Sequence, residues 1–281
     1  MNVTPKPTVA LLVHSCDRYR FLYHGFEYFF NKYWPKEINC KYYFATEKIN
    51  VEIKGFENIR SGQGEWSDRL RTLLQKIEEP YILYFQEDMW LSKPVDARFF
   101  EQLFFLCQQQ QWQQVKLHSS EVYKTIPTDL FISGLKISKL DNEASDFLMS
   151  HQVTLWYRQF LLHQMAKSEH PWRNERRATK RLRKINPDIY HIDYFAENGK
   201  DAINPNRPDS NRSEYFTVSI NSTLNSFTLP YIAALKAGST ADNDYADQLE
   251  NHYQNGLTHD GLPRPRKEDI FQKIKRRLRN I

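Results

Sequence analysis

Long apolar runs are missing from this sequence of 281 residues, and cysteine is scarce. No stretch of about 18 or more apolar residues occurs, so no transmembrane helix is predicted. The three cysteines, Cys16, Cys40 and Cys107, are odd in number and widely spaced. They match neither a disulfide framework nor a zinc pattern, and the sequence begins without the features of a signal peptide. We therefore expect a cytoplasmic chain with reduced thiols.

A glycine-rich phosphate loop of the form Gly-x-x-x-x-Gly-Lys is also absent, which excludes the ordinary P-loop nucleotide site. The excess of positive charge, +5 overall, is confined to one end of the chain. Residues 264–281 hold eight Lys or Arg and two acids, a local charge of +6, so the rest of the chain is close to neutral. This distribution argues against a nucleic-acid-binding body.

Strand-like and helix-like segments alternate along the first 120 residues. Buried strands are predicted at residues 8–15, 39–46, 56–60, 81–85 and 114–118, and helices at 19–33, at 99–107 and from Ser67 onwards, where four apolar residues recur with helical spacing (Leu70, Leu73, Leu74, Ile77). Units of this kind favour a mostly parallel sheet with right-handed crossovers. The predicted fold class is therefore α/β, with a Rossmann-like, mostly parallel sheet flanked by helices.

Two adjacent carboxylates end the most apolar of these strands. Tyr81 to Phe85 is followed by Gln86, Glu87 and Asp88, and the chain then becomes apolar again. Because buried carboxylates are costly, we expect both acids at the carboxyl edge of the sheet, where open α/β sheets bind their ligands. Hard oxygen ligands suit Mg²⁺ or Mn²⁺ carrying a diphosphate, although a solvated acidic turn fits the same residues.

The second half is less regular. The spacing of its apolar residues predicts a helix over 151–166 and strands over 189–195 and 215–220. We expect one catalytic domain over residues 1–240, with a nucleotide-sugar half (1–120) and an acceptor half (121–240). Residues 241–263 are polar and are predicted to form a linker or loop, and 264–281 a basic tail.

The first 120 residues resemble a GT-A-type glycosyltransferase. The resemblance lies in a first strand ending Ser-Cys-Asp-Arg-Tyr, a Ser-Asp-Arg-Leu helix and the segment Tyr-Ile-Leu-Tyr-Phe-Gln-Glu-Asp-Met-Trp-Leu. The segments His-Gln-Val-Thr-Leu-Trp and Glu-His-Pro-Trp are similar to the acceptor half of bacterial transferases that build capsule or lipopolysaccharide sugars.

The resemblance implies roles for residues on the donor side. It assigns a contact with the nucleotide base to Asp17, and it places residues 86–88 where the family has its DxD motif. Because the first Asp of that motif is Gln86 here, the resemblance makes Asp88 the main metal ligand, Mn²⁺ or Mg²⁺ being the expected ion, and Glu87 an auxiliary one. Further expected contacts are made by side chains elsewhere in the chain: Asp68 and Arg69 with the donor, and His191 as a third metal ligand.

An inverting transferase also needs a carboxylate that takes the proton of the acceptor hydroxyl. Glu169 is the first candidate for this base and Glu175 the second, although Glu169 also fits an ordinary helix end. Three arginines of the basic stretch that follows could hold a diphosphate or an anionic acceptor, or form a solvated helix face (Arg173, Arg176, Arg177).

The tail has the pattern of an amphipathic basic helix over residues 269–281. Such a helix lies on an anionic membrane surface, and an acceptor carried on a membrane lipid would explain its presence.

The sequence thus predicts a glycosyltransferase that moves a sugar from a nucleotide-sugar donor to a glycan or lipid-linked acceptor of the bacterial surface. We expect the reaction to be inverting and metal-assisted, the protein to be peripheral on the inner face of the plasma membrane, and no nucleic-acid partner. Two alternatives stay open: a metal-dependent sugar nucleotidyltransferase, and a non-catalytic glycan- or lipid-binding adaptor that has kept the fold.

Overall fold

The computed structural model describes residues 8–263. Its strands are β1 Val9–His14, β2 Lys41–Thr46, β3 Glu57–Arg60, β4 Tyr81–Phe85, β5 Met89–Leu91, β6 Gln114–His118, β7 Thr125–Ile132, β8 Leu135–Leu140, β9 Thr154–Tyr157, β10 Tyr190–Glu197, β11 Ser213–Thr217, β12 Ser219–Ile220 and β13 Thr223–Leu224. Its α-helices are α1 Tyr23–Tyr33, α2 Trp66–Lys76, α3 Ala97–Gln110, α4 Arg158–Gln164, α5 Pro171–Ile185, α6 Leu229–Lys236 and α7 Thr240–Gln254, with short 3₁₀ turns at Asp17–Leu22 and Ser226–Thr228.

The main sheet follows the order β3-β2-β1-β4-β9-β6-β10-β11-β5, and the β7–β8 hairpin joins it through β10. Five of the eight neighbouring pairs on this path are parallel. Helices and the sheet share apolar cores, one of which lies between α2, α4, α5 and strands β1 and β4. The predicted α/β class, a Rossmann-like and mostly parallel sheet flanked by helices, is confirmed.

Strand β9 corrects the prediction of a single helix over residues 151–166. Residues 154–157 form an extended strand that pairs antiparallel with both β4 and β6, and only Arg158–Gln164 is helical. Val153, Leu155 and Trp156 are buried. Because β9 has sheet neighbours on both sides, tertiary pairing outweighs a helix-like spacing of apolar residues.

The chain divides into two compact units between Val218 and Ser219, which lies upstream of the boundary expected at residue 240. The second unit contains the β12–β13 pair, α6 and α7. Helix α7 corrects the expectation of a linker over residues 241–263. It starts with a capping box, in which Ser239 and Asp242 each accept a hydrogen bond from the other's backbone N–H, and it buries Tyr245, Ala246 and Leu249 on one face. The predicted basic tail lies outside the described residues.

One close contact fixes how α1 packs on the sheet. Gly25 lies against Trp90 of β5, and a Cβ atom at position 25 would come within 2.2 Å of the indole ring. The Trp90 side chain is fully buried and stacks on Phe29. Glycine is therefore required here because a larger residue would collide with the indole of the strand that follows the acidic pair.

Candidate active site

The carboxyl ends of five strands lie at one edge of the main sheet. Strands β1 and β4 run parallel, as do β6, β10 and β11, and β9 is antiparallel to both β4 and β6. The residues that follow β1, β4, β6 and β10 therefore face the same side of the molecule. This is the edge at which open α/β sheets bind ligands.

Glu87 and Asp88 occupy the turn after β4 at this edge. The chain passes there from the middle of the sheet to β5, which pairs with β11 at the end of the strand path. Backbone contacts hold the turn: the Trp90 Nε1 donates to the Glu87 carbonyl oxygen at 3.1 Å, and the Val218 N–H donates to the Asp88 carbonyl oxygen at 2.9 Å. These hydrogen bonds fix the backbone of the turn from which both carboxyl side chains project.

Burial makes both carboxyls reluctant to ionise. Desolvation raises the pKa of Glu87 well above its usual value, and the negative charge of Asp88 raises it further. Desolvation also raises the pKa of Asp88, to about 7. A cation that enters the site would favour the ionised forms of both acids and so lower both pKa values.

Glu175 and Glu197 bring two more carboxyls to the same region. Glu175 projects from α5, and its Oε1 accepts a hydrogen bond from the His151 N–H at 3.0 Å. Glu197 ends β10, directly before a turn in which Asn198 and Gly199 have positive φ. Desolvation raises the pKa of both acids, and the charge of Glu197 raises the pKa of Glu175 further.

Three buried tyrosines lie within electrostatic reach of these four acids. The pKa of Tyr84 is raised by desolvation and by Glu87, Asp88 and Glu175. Glu197 and Asp88 act in the same way on Tyr215, and Glu197 and Glu175 on Tyr123, in each case after desolvation. We name Glu87, Asp88, Glu175 and Glu197 the four-carboxylate cluster.

Two buried cations face this cluster. Lys116 of β6 is fully buried, its Nζ lies 3.3 Å from the Tyr123 hydroxyl, and desolvation lowers its pKa from 10.5 to about 7, an effect that the charge of Glu175 partly offsets. Arg69 of α2 is also buried, donates from Nη1 to the Ser15 carbonyl oxygen at 2.9 Å and favours the ionised form of Glu87. A buried lysine on a strand is costly, and such residues are typical of functional sites.

Asp17 and Asp68, both expected on the donor side, hold the backbone in place. The Asp17 carboxylate accepts hydrogen bonds from the backbone N–H groups of residues 47–49, at 2.8 to 3.3 Å. The Asp68 carboxylate accepts from the Ser168 N–H at 3.1 and 3.2 Å. Both acids therefore order loops beside the site, and neither belongs to the four-carboxylate cluster. Gln86 is half-buried, and its carbonyl oxygen closes the turn by accepting from the Met89 N–H.

Glu169, the first candidate for the catalytic base, is buried in a network of its own. Its two carboxylate oxygens accept from Arg181 at 3.2 and 3.1 Å, and Oε2 also accepts from the Asn174 amide at 2.7 Å. Its side chain is 2% exposed. These contacts tie the start of α5 to its third turn and leave Glu169 apart from the four-carboxylate cluster.

His191, the expected third metal ligand, uses both ring nitrogens inside the protein. Its Nε2 donates to the His118 carbonyl oxygen at 3.0 Å, and its Nδ1 accepts from the Asn204 amide at 2.8 Å. The structure does not bring it to Glu87 and Asp88. Within residues 8–263, no three His, Cys, Asp or Glu side chains lie close enough together to hold a metal ion.

Sequence reasoning missed Glu197 and Lys116. The signal for Glu197 was present, because it is an acid at the end of an apolar strand and precedes a turn, as Glu87 does. Lys116 stands between two apolar residues of a short strand, and only its burial and its contact with Tyr123 in the folded chain show that its ammonium group is enclosed.

Comparison with known proteins gives little further information. No protein-family model and no curated protein sequence matches this chain. The crystal structure of S. aureus TarS matches 88% of this chain and 43% of its own, with a TM-score of 0.44 and 9% identity. UDP-glucose pyrophosphorylase complexed with UDP-glucose matches 61% of this chain and 76% of its own, with a TM-score of 0.39 and 12% identity. This chain spans less than half the length of TarS, and similarity at this level assigns no function.

No helix within residues 8–263 combines the length and the apolar character that crossing a membrane requires.

Proposed function

We propose that the chain is a glycosyltransferase that moves a sugar from a nucleotide-sugar donor to a hydroxyl group of a glycan acceptor. The observation that carries the proposal is the four-carboxylate cluster at the carboxyl edge of the sheet, facing the buried cations Lys116 and Arg69. Departure of a nucleoside diphosphate needs positive charge, and activation of a hydroxyl needs a carboxylate. The cluster and its two cations would supply both at one edge of the sheet.

On the donor side, Asp88 and Glu87 are the residues that would hold a divalent cation. Mg²⁺ is commonly bound through one or two carboxylates together with substrate phosphate oxygens, so two adjacent acids with raised pKa fit such an ion. When bound, the ion would neutralise the charge that develops on the leaving diphosphate. Asp17 supports this side indirectly, because it fixes the loop of residues 47–49 next to the end of β1.

The two cations act on the same leaving group. Arg69 is fixed by its hydrogen bond to Ser15 and lies 3.5 Å from the Glu47 carboxylate, so its guanidinium is oriented before any ligand binds. Lys116 is held under the cluster with a pKa of about 7, and an incoming diphosphate would favour its charged form. Pre-oriented charges of this kind stabilise a transition state without reorganising.

On the acceptor side we assign the base to Glu175, the second of the two sequence candidates. Its carboxyl is oriented by the His151 N–H and has a raised pKa, which suits proton transfer near neutral pH. In the proposed reaction the acceptor oxygen attacks the anomeric carbon, the bond from that carbon to the phosphate oxygen breaks, and the hydroxyl proton passes to Glu175. Glu197 is the second carboxyl on this side and hydrogen-bonds with Lys200 at 3.2 Å.

The finer parts of the proposal rest on the sequence. An acceptor of the bacterial surface, in capsule or lipopolysaccharide, follows from the resemblance of the second half. A position on the inner face of the plasma membrane follows from the amphipathic pattern of residues 269–281.

The first experiment measures thermal stabilisation of the whole chain by UDP, GDP, CDP, CMP and TDP, each with Mn²⁺ and with EDTA. We expect one nucleotide to stabilise the protein selectively, and Asp88→Asn to remove the metal-dependent part of that shift. Glu101→Gln, an exposed acid on α3, is the charge-matched control and should leave the shift unchanged. If no nucleotide stabilises the wild-type protein, the transferase proposal fails and the adaptor alternative gains support.

Product analysis then separates the enzyme classes. With the matching nucleotide sugar, a transferase releases the nucleoside diphosphate, whereas a nucleotidyltransferase forms pyrophosphate from a sugar phosphate and a nucleoside triphosphate. Glu175→Gln should keep nucleotide binding and lower turnover by about 100-fold or more, because the amide cannot accept the proton. Unchanged turnover in Glu175→Gln would move the base to Glu197, to be tested by Glu197→Gln.

A further inference from the structure

Helix α5 carries a row of cations on its outer face. Arg173, Arg176, Arg177 and Lys180 recur at spacings of three and four residues, so they lie on one side of the helix, and all four are exposed. The opposite side buries Asn174, Ala178, Thr179 and Leu182. The row is therefore fixed in place by a helix that is anchored along its whole length.

Within residues 8–263, most of this positive charge has no ion-pair partner. Arg177 lies 3.7 Å from Glu169, a distance at the outer limit of an ion pair, and Glu169 already binds Arg181. Among the described residues, Arg173, Arg176 and Lys180 have no carboxylate partner. Unpaired cations on adjacent turns favour a ligand that presents several negative charges.

The cations line two concave surfaces that share residues. One cavity of about 440 Å³ is lined by Arg173 and Arg176 together with the exposed Trp172, the ring of His170, Ser168 and one acid, Glu65. A second, of about 400 Å³, is lined by the same two arginines, by Lys180 further along the helix and by one acid, Asp146. Because Arg173 and Arg176 line both, the two cavities adjoin along α5, and together we name them the α5 groove.

We propose that this groove binds an acidic saccharide, which is the anionic part of the acceptor. The inference rests on the proposed function and names the acceptor class for the same site. Arginine forks match carboxylate or phosphate groups, and Trp172, 60% exposed, offers an apolar surface to the C–H face of a sugar ring. The concave shape fits a chain better than it fits a flat membrane surface.

The groove and the proposed base belong to the same helix. Glu175 and Arg176 are neighbours in sequence and leave α5 on different sides, Glu175 towards the buried His151 backbone and Arg176 towards the groove. Their backbones are about 1.5 Å apart along the helix axis, so α5 positions both the base proposed for proton transfer and the cations proposed for acceptor binding.

The test compares binding of three hexasaccharides to the whole chain by isothermal titration calorimetry: galacturonic acid hexamer, mannohexaose 6-phosphate and neutral maltohexaose. The variant is Arg173→Gln/Arg176→Gln. The control is Lys36→Gln/Arg98→Gln, which removes the same charge from exposed positions on other elements. Melting temperatures of all proteins verify folding, and Lys180→Gln gives a second, single-charge variant in the same groove.

We expect at least one acidic hexasaccharide to bind the wild-type protein and the control alike, and to bind the groove variant about tenfold or more weakly, with a weaker dependence on salt. The stronger of the two acidic ligands would name carboxylate or phosphate as the recognised group. Three results would each overturn the inference. In the first, maltohexaose binds as tightly as the acidic hexasaccharides; in the second, the groove variant and the control lose the same affinity. In the third, the protein binds phosphatidylglycerol vesicles through these arginines and binds no saccharide.

The same proteins are also tested for stabilisation by nucleoside diphosphates. Loss of saccharide binding with nucleotide binding intact is the result expected of an acceptor groove. Absence of nucleotide binding in the wild-type protein would instead refute the proposed function, and the saccharide titration would still decide the groove by its own result.

Discussion

Replacement of Lys116 by methionine should stabilise the protein while lowering its activity. The lysine is fully buried in β6, and burial lowers its pKa from 10.5 to about 7. Lowering a pKa by that amount costs about 5 kcal/mol of folding free energy at or below neutral pH. Methionine has a similar volume and no charge. Loss of the Lys116 contact with Tyr123 reduces the gain in folding free energy by only about 1 kcal/mol, because Tyr123 keeps its hydrogen bond with His118. The free energy of unfolding should therefore rise by about 3–4 kcal/mol.

The pH dependence of this gain identifies its cause. A lysine whose folded pKa is lowered destabilises the protein fully below the folded pKa, near 7, and not at all above the unfolded pKa, 10.5. The stability difference between Lys116→Met and wild type should therefore be largest at pH 7 or below and shrink as pH rises towards 10.5. Urea unfolding of both proteins at pH 6, 7, 8, 9 and 10 measures it.

Activity should change in the opposite direction. If Lys116 stabilises the leaving diphosphate, Lys116→Met lowers sugar transfer by about 100-fold. Lys54→Met, at an exposed position, is the control and should change neither stability nor transfer. A Lys116→Met protein that is less stable than wild type, or a gain that does not vary with pH, would refute the reasoning. Higher stability with unchanged transfer would remove Lys116 from the site.

Three further predictions concern positions that hold the site in place. Gly25→Ala should destabilise the fold by about 2–3 kcal/mol in chemical denaturation, because its Cβ collides with Trp90, and Trp90→Leu should partly rescue it; additive losses would contradict the contact. Glu169→Gln should lower stability by about 2–3 kcal/mol through the loss of its bond with Arg181, while nucleotide affinity stays unchanged; a selective loss of turnover would return Glu169 to the role of base. Asp17→Ala frees three backbone N–H groups of the following loop, so melting temperature and nucleotide affinity should fall together, and loss of affinity alone would indicate direct contact with the nucleotide.

Local sequence patterns predicted most strands of the first half of the chain. Apolar runs of five or six residues, separated by helical spacings, predicted the strands that became β1, β2, β4 and β6 within a few residues of their ends. The acid pair after Tyr81–Phe85 was found because two carboxylates cannot lie inside a buried strand, so they must follow it. These features depend on neighbours in sequence, and the sequence is enough to predict them.

Pairing between distant segments decided the rest. The same residues that look helical around Trp156 form β9, because two strands on either side supply its hydrogen-bond partners. Helix α7 was missed because its capping box and its short apolar face are weak signals beside many polar residues. In both cases the decisive contacts join residues that are far apart or few in number.

The sequence by itself determined the α/β class, the acidic pair at the end of β4 and the basic composition of α5, because each of these depends on residues that are close together in the sequence. Only the tertiary structure decided which acids act together. It placed Glu169 against Arg181 and set Glu87, Asp88, Glu175 and Glu197 within electrostatic reach of the same buried tyrosines, since helix packing and strand order decide which side chains approach one another. The charge state of a buried group such as Lys116 depends on that same packing, because desolvation is a property of the folded chain.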